Sequence, residues 1–230
     1  MSEIRLESVS RIYGRSFALH RVSLRLRPGA LTAVVGDNGA GKSSLLNILA
    51  TLDKPSDGEV YFGEHTWATY AKKGRHKIGW VSHDSLIYAE LTGRENLEFF
   101  ASMYGLDNPG ELSKTWLERV GLTDAADRLS STYSRGMKQR LTLARALLHK
   151  PSILLLDEPM TGLDQAGRTQ MTALFRQLCA EGCLLVLVTH NLSMLQDLAD
   201  HLVVLRRGKL VHDAPLGPED DILDIYRQHA

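Results

Sequence analysis

The sequence predicts an α/β fold in which a mostly parallel sheet is flanked by helices. Two short apolar runs carry this prediction, residues 31–35 and residues 153–156, because both lack the polar alternation of a half-exposed strand. Between them, much of the segment from residue 91 to residue 150 has helical periodicity instead. We therefore expect a helical segment inserted into an α/β core that resumes at Ile153.

The N-terminal region is predicted to be mainly β. Residues 4–10, 22–26 and 59–62 have the composition of strands, and residues 31–35 form a further strand. Residues 28–29 and 56–58 supply the proline, glycine, serine and aspartate typical of turns.

A glycine-rich segment follows the strand at residues 31–35 and leads into a helix. Its spacing matches G-x-x-x-x-G-K-[ST], with Gly36, Gly41, Lys42 and Ser43 at the fixed positions. Glycines let backbone N–H groups approach phosphate oxygens, and the helix N-terminus adds partial positive charge. We expect Lys42 to reach the β- and γ-phosphates of a nucleotide and Ser43 to hold Mg²⁺. The other expected nucleotide-binding residues of the loop are Asp37, Asn38, Gly39, Ala40 and Ser44. The alternative is a glycine-rich turn with a chance lysine.

The inserted segment is predicted to contain three helices. Thr92 and Glu95 form a capping box for the first helix, and the second ends before Gly121. Ser134 is a natural N-cap for the third. The third helix has an apolar face made of Leu141, Leu143, Ala144, Leu147 and Leu148. On these residues alone it is only a capped amphipathic helix.

Two carboxylates, Asp157 and Glu158, end the apolar run at residues 153–156 and precede Pro159. Two acids beside a buried strand are costly unless they meet a cation or a polar cleft. Ligands of open α/β sheets bind at the carboxyl ends of the strands, where the glycine loop also lies. We expect Asp157 to hold the Mg²⁺ shell and Glu158 to direct the attacking water. A solvated strand end that stops at Pro159 is the alternative.

The C-terminal region completes the predicted core. Residues 184–189 form another apolar run, and His190 follows it. Residues 202–206 and 209–211 are predicted to pair as a hairpin across Arg207-Gly208. Residues 220–230 form a short amphipathic helix.

The order of these motifs resembles an ABC-type ATPase domain. The family signature, usually Leu-Ser-Gly-Gly-Gln, stands here as residues 133–137 and differs at three of its five positions. The resemblance spans residues 3 to about 213. It implies a P-loop NTPase core of ABC ATPase type, with an antiparallel β subdomain and an inserted helical subdomain. The implied layout is one domain over residues 1–230. Its parts are a core lobe at 1–84 and 151–215, a helical subdomain at about 85–150, and a tail at 216–230.

The resemblance also implies roles for residues that the motifs alone leave unexplained. Tyr13 would stack on adenine, and His190 would stabilise the γ-phosphate as a catalytic residue. Asp164 would link two subunits that meet head to tail. ATP would then lie between the phosphate loop of one subunit and the signature of the other. The signature residues in contact with the nucleotide would be Ser134, Gly136 and Met137.

One position departs from the family pattern. A glutamine usually follows a strand like residues 77–82, but this chain has His83. A neutral imidazole accepts a hydrogen bond through one nitrogen, whereas a protonated imidazole only donates. We expect His83 to take the glutamine's catalytic and Mg²⁺-facing role. The alternatives are that the neighbouring Ser82 or Asp84 takes part of it, or that His83 is a surface histidine.

Composition limits the possible partners. The 27 basic and 27 acidic side chains cancel, so no overall field favours nucleic acid or an anionic membrane. Cys179 and Cys183 have neither a zinc nor a redox spacing, which suits a reducing compartment. We expect neither a signal peptide nor a membrane-spanning stretch. The expected location is the cytoplasmic face of the cell membrane, beside an integral-membrane transporter subunit and a second ATP-binding subunit, either identical or different.

The cargo is predicted from one stretch of sequence. Residues 81–92, with Glu95, Asn96 and Leu97, resemble the haem-exporter ATPase subunit of cytochrome c biogenesis. Drug, lipid, polysaccharide and antibiotic exporters remain alternatives. A non-transport ABC-type ATPase is the alternative from a different class. All of these functions use ATP and Mg²⁺.

Overall fold

The protein is described by a computed structural model that covers residues 3–82 and 85–229. His83 lies outside the described residues, so its expected role stays a prediction. The described chain forms two sheets, one with six strands and one with four.

The six-stranded sheet is the core of the fold. Its spatial order is β10-β9-β3-β8-β7-β6, with β10 antiparallel to β9 and the other neighbours parallel. The strands are β3 (Leu31–Val35), β6 (Ile78–Val81), β7 (Ile153–Asp157), β8 (Leu184–Val188), β9 (His201–Arg206) and β10 (Lys209–Pro215). We call the glycine-rich segment at residues 36–44 the phosphate loop. Because β3 and β7 both pair with β8, this loop after β3 and the carboxylates at the end of β7 lie at the same edge of the sheet.

The four-stranded sheet is antiparallel, in the order β2-β1-β4-β5. Its strands are β1 (Ile4–Tyr13), β2 (Ser16–Leu26), β4 (Asp57–Phe62) and β5 (His65–Thr66). The first two strands are longer than residues 4–10 and 22–26 because they form one hairpin that pairs up to Tyr13 and Ser16. Exposed positions dominate the extended part, so its apolar pattern is weak.

Seven α-helices occur in the described part of the chain. They are α1 (Lys42–Leu49), α2 (Trp67–Lys73), α3 (Gly93–Met103), α4 (Pro109–Arg119), α5 (Arg135–Leu147), α6 (Gln165–Ala180) and α7 (Ile222–His229). The predicted capping box of Thr92 and Glu95 opens α3, and Ser134 caps α5. In the described residues, none of these helices combines the length and apolarity needed to cross a bilayer.

Strands β3, β7 and β8 are buried on both faces, which explains their unbroken apolar runs. Leu154 and Leu156 pack into one cluster with α3, α4 and α5, whereas Ile153 and Leu155 pack into another with α1 and the antiparallel sheet. This two-sided burial fixes the strand ends that carry the site.

Candidate functional site

The phosphate loop needs glycine for steric reasons as well as conformational ones. Gly36 and Gly41 have φ values of 151° and 107°. A Cβ on Gly36 would lie 2.2 Å from the Leu205 carbonyl oxygen, and a Cβ on Gly41 would lie 2.3 Å from that of Ala18. The loop is therefore held tightly between β9 and β2, and neither glycine can be replaced without moving backbone.

Lys42 is the first residue of α1 and turns back onto the loop. Its Nζ donates to the carbonyl oxygens of Gly36 at 2.6 Å and Asp37 at 3.0 Å. Burial lowers the pKa of Lys42, and the nearby carboxylates of Glu158, Asp157 and Asp37 partly oppose this. The ammonium is thus a partly desolvated cation aimed at the loop.

The two carboxylates at the end of β7 have different surroundings. Asp157 is the last residue of the strand, whereas Glu158 has the left-handed backbone conformation, with φ of 50°. This conformation is uncommon for a side chain larger than glycine and is found at functional sites. The Glu158 backbone N–H donates to the Val188 carbonyl oxygen at 2.9 Å, which anchors it to β8.

Three groups from the end of β8 surround the Glu158 carboxylate. The Thr189 hydroxyl donates to Oε2 at 2.9 Å, and the His190 backbone N–H donates to Oε1 at 2.8 Å. The Nδ1 atom of His190 lies 2.7 Å from the same Oε1. The His190 side chain is 77% exposed, whereas that of Glu158 is 22% exposed. His190 thus orients the carboxylate and keeps Nε2 on the accessible side.

The signature residues are fixed by the turn that begins α5. The Ser134 hydroxyl accepts from the Met137 backbone N–H at 3.2 Å. Gly136 has no room for a side chain, because a Cβ there would lie 2.6 Å from the Gly162 carbonyl oxygen. The signature therefore packs directly against the loop that follows the two carboxylates.

Tyr13 and Asp164 have contacts that sequence reasoning did not include. The Tyr13 hydroxyl donates to Asp53, and the Arg11 guanidinium lies 4.5 Å from the centre of its ring. Asp164 is the N-cap of α6 and accepts from the Gly167 backbone N–H at 2.8 Å. The ring of Tyr13 and the start of α6 are therefore held in place within the subunit.

The phosphate loop opens onto a pocket of about 550 Å³. Its lining includes Tyr13, residues 38–44, Asp157, Glu158 and His190. The signature is absent from the described residues that line it. An adjacent pocket of about 570 Å³ is also lined by Asp157, Glu158 and His190, together with Tyr133 and Arg135 of the signature and Gln139 of α5. One subunit thus brings the loop, carboxylates and His190 together but keeps Ser134, Gly136 and Met137 apart from the loop pocket.

The sequence patterns do not predict the contacts of Thr189 and Tyr226 with the site. Thr189 ends an apolar run, and its hydroxyl at a strand end beside His190 is a usable signal. The Tyr226 hydroxyl donates to Asp37 Oδ1 at 2.8 Å across 189 residues of sequence. No local pattern predicts that contact.

Comparison with known proteins identifies the class of this fold. The profile of the family described as ABC transporter matches residues 19–161. The dimeric ATP-binding cassette MJ0796, in a post-hydrolysis state with ADP and Pi, superposes with a TM-score of 0.84 at 27% identity. The alignment covers 93% of this chain and 99% of that one. The fold is that of an ABC ATPase cassette.

Curated relatives agree with this class. The linearmycin resistance ATP-binding protein LnrL of Bacillus subtilis is 32% identical over 211 residues, covering 90% of this chain and 68% of its own length. The bacitracin transport ATP-binding protein BcrA of Bacillus licheniformis is 35% identical over 214 residues, covering 92% and 69%. The chain belongs to the ABC transporter family. It is an ATP-binding subunit that hydrolyses ATP to drive transport, in a class whose subunits work as dimers with a membrane permease.

Proposed function

We propose that this chain is the ATPase subunit of an exporter for antibiotic-like compounds, acting as one ABC ATPase domain at the cytoplasmic face of the cell membrane. The proposed layout keeps the predicted core lobe (1–84 and 151–215), helical subdomain (about 85–150) and tail (216–230). The observation that carries the catalytic part is the convergence of Lys42, Glu158 and His190 on one pocket. The names of the relatives support the cargo class.

The nucleotide is bound first through its phosphates. Lys42 and the loop N–H groups contact the β- and γ-phosphates, and the Tyr13 ring stacks on adenine. Ser43 and Asp157 line the same pocket and supply a hydroxyl and a carboxylate oxygen, which suit Mg²⁺. When bound there, Mg²⁺ would neutralise phosphate charge.

The chemical step belongs to Glu158 and His190. The Glu158 carboxylate accepts a hydrogen bond from the attacking water and polarises it. Its bonds to Thr189 and the His190 backbone hold it in position. Nδ1 of His190 lies within hydrogen-bond distance of Glu158, and the exposed side chain of His190 faces the γ-phosphate. The proposed role of His83 is to accept from the same water while neutral and to face Mg²⁺.

The second subunit completes the site. Ser134, Gly136 and Met137 lie outside the loop pocket of their own chain, so a second copy or a different ATP-binding subunit supplies them. There the Ser134 hydroxyl and the start of α5 face the γ-phosphate. Asp164 lies at the junction between the two sites. ATP binding favours the closed pair, and hydrolysis reopens it.

Haem export is the second candidate for the cargo. The sequence of residues 81–92 favours it, whereas the relatives above are named for linearmycin resistance and bacitracin transport.

The two cargoes can be separated by one experiment. The chain would be expressed with its own membrane subunit in a sensitive host, with the Glu158→Gln variant as the matched control. Antibiotic export predicts that the wild type raises the inhibitory concentration of bacitracin-like or linearmycin-like compounds and that the variant does not. If resistance is unchanged but cytochrome c maturation depends on the wild type, the cargo proposal is wrong and haem export is supported.

A further inference from the structure

The C-terminal helix α7 packs against the core beside the site. Ile222 is buried at its start, and Ile225 and Tyr226 pack against the larger core cluster. The apolar face of this short helix is therefore used within the subunit.

Two hydrogen bonds connect the start of α7 with the segment that follows His190. The Gln196 side-chain amide donates to the Asp220 carbonyl oxygen at 2.6 Å and accepts from the Ile222 backbone N–H at 3.2 Å. Gln196 is six residues after His190. The helix is thus fixed on the chain segment that leaves the site.

The other end of α7 reaches the phosphate loop. The Tyr226 hydroxyl donates to Asp37 Oδ1 at 2.8 Å. Burial, and then the hydrogen bond to Asp37, raise the pKa of Tyr226, so the hydroxyl keeps its proton near neutral pH. Tyr226 is a permanent donor to this carboxylate.

A carboxylate at residue 37 is electrostatically unfavourable for phosphate binding. Asp37 lies in the loop proposed to bind a polyanion, and its charge partly offsets the lowering of the Lys42 pKa by burial. A free carboxylate there would repel phosphate and compete for the ammonium. Residues 38–44 line the loop pocket, but Asp37 does not. The carboxylate is held outside the pocket, where Tyr226 occupies one of its oxygens.

We propose that Tyr226 is a positioning residue of the ATPase reaction, whose hydroxyl holds the Asp37 carboxylate outside the phosphate-binding pocket. The C-terminal helix thereby sets the affinity of the loop for nucleotide. This inference rests on the proposed binding of ATP phosphates by the loop. It assigns a role to the tail, which the catalytic proposal leaves without one.

The test measures ATP affinity by calorimetry in the chain of 230 residues. Tyr226→Phe removes only the hydroxyl and is expected to weaken ATP binding about tenfold, with kcat at saturating ATP close to that of the wild type. Added salt should reduce the difference, because it screens the freed carboxylate. Arg227→Gln, on an exposed residue of the same helix, is the matched control and should bind ATP like the wild type.

The same Tyr226→Phe substitution in the Asp37→Asn protein separates this charge effect from a packing effect. Asp37→Asn alone removes the charge and sets the ATP affinity with which the double variant is compared. In that background Tyr226→Phe should have little effect, because no charge remains to be held away. Wild-type affinity in Tyr226→Phe, or an equal loss in both backgrounds, would overturn the inference. Failure of the wild type to bind ATP would instead contradict the binding proposal itself.

Discussion

At the scale of single residues, burial and nearby carboxylates have opposing effects on the charged form of Lys42. Burial acts against its ammonium, whereas Glu158, Asp157 and Asp37 favour it. The ammonium donates to two backbone carbonyl groups of its own loop. A nucleotide phosphate offers a charged acceptor in place of these neutral ones, and hydrogen bonds to charged groups are stronger.

Lys42→Ala is predicted to weaken ATP binding by about 2 kcal/mol, or roughly thirtyfold, because it removes the point charge on the β- and γ-phosphates. Calorimetric titration with ATP and Mg²⁺ measures the change. Lys114→Ala, at an exposed lysine of α4, is the matched control. An ATP affinity for Lys42→Ala equal to that of the control would rule out the role assigned to Lys42.

The residues of the site differ in how far the sequence predicts them. The sequence predicts the loop glycines and Lys42, because a single strand–loop–helix motif requires them at fixed spacing. Thr189 and Tyr226 act on Glu158 and Asp37 from distant parts of the chain. Their contacts depend on how β8 and α7 pack, which no short pattern records.

The contact between α5 and β6 links the signature helix to the strand before His83. Arg145 donates to the Trp80 carbonyl oxygen at 3.1 Å. His149 Nε2, just beyond α5, donates to the Ile78 carbonyl oxygen at 3.1 Å. The buried Nδ1 of His149 has no partner among the described residues. Protonation would therefore place a buried N–H without an acceptor.

The pH dependence of stability is predicted from this contact. Burial, and then the charges of Arg145 and His76, lower the pKa of His149, although its bond to Ile78 acts the other way. The unfolded chain therefore binds the proton more tightly. The contribution of His149 to the free energy of unfolding is fully present above the ordinary histidine pKa of about 6.5. It is lost as pH falls below that value.

Urea unfolding at pH 7.5 and pH 5.5 checks this prediction. The wild type should be less stable at the lower pH, and His149→Gln should show a smaller difference because its amide can donate without titrating. His65→Gln, at an exposed histidine, is the control. The role of His149 would be refuted if both variants kept the full wild-type pH difference.

Element type was predicted better than element length. The buried strands β3, β7 and β8 were placed to within a residue, because burial on both faces leaves an unbroken apolar run. Helix α2 was not predicted, since its seven residues are too few to show a period. The pairing of β1 with β2 beyond Ser10 was also missed, because that part of the hairpin is largely exposed.

At the scale of the whole molecule, Ser134, Gly136 and Met137 lie outside the loop pocket of their own subunit. The loop, the carboxylates and His190 come together at one edge of the core sheet, because β3, β8 and β7 are adjacent. The signature lies at the start of a helix from the inserted segment. In the function proposed above, a second subunit supplies the signature.

The most direct test is the mass of the Glu158→Gln subunit in solution, measured by light scattering with ATP and Mg²⁺ and again with ADP. The variant keeps the shape of the side chain but loses the carboxylate that we propose polarises water. It should bind ATP, lose nearly all turnover and elute as a dimer with ATP but as a monomer with ADP. Adding Ser134→Arg should leave a monomer in both nucleotides. An ATP-bound monomer, or near-normal turnover in Glu158→Gln, would contradict the shared site.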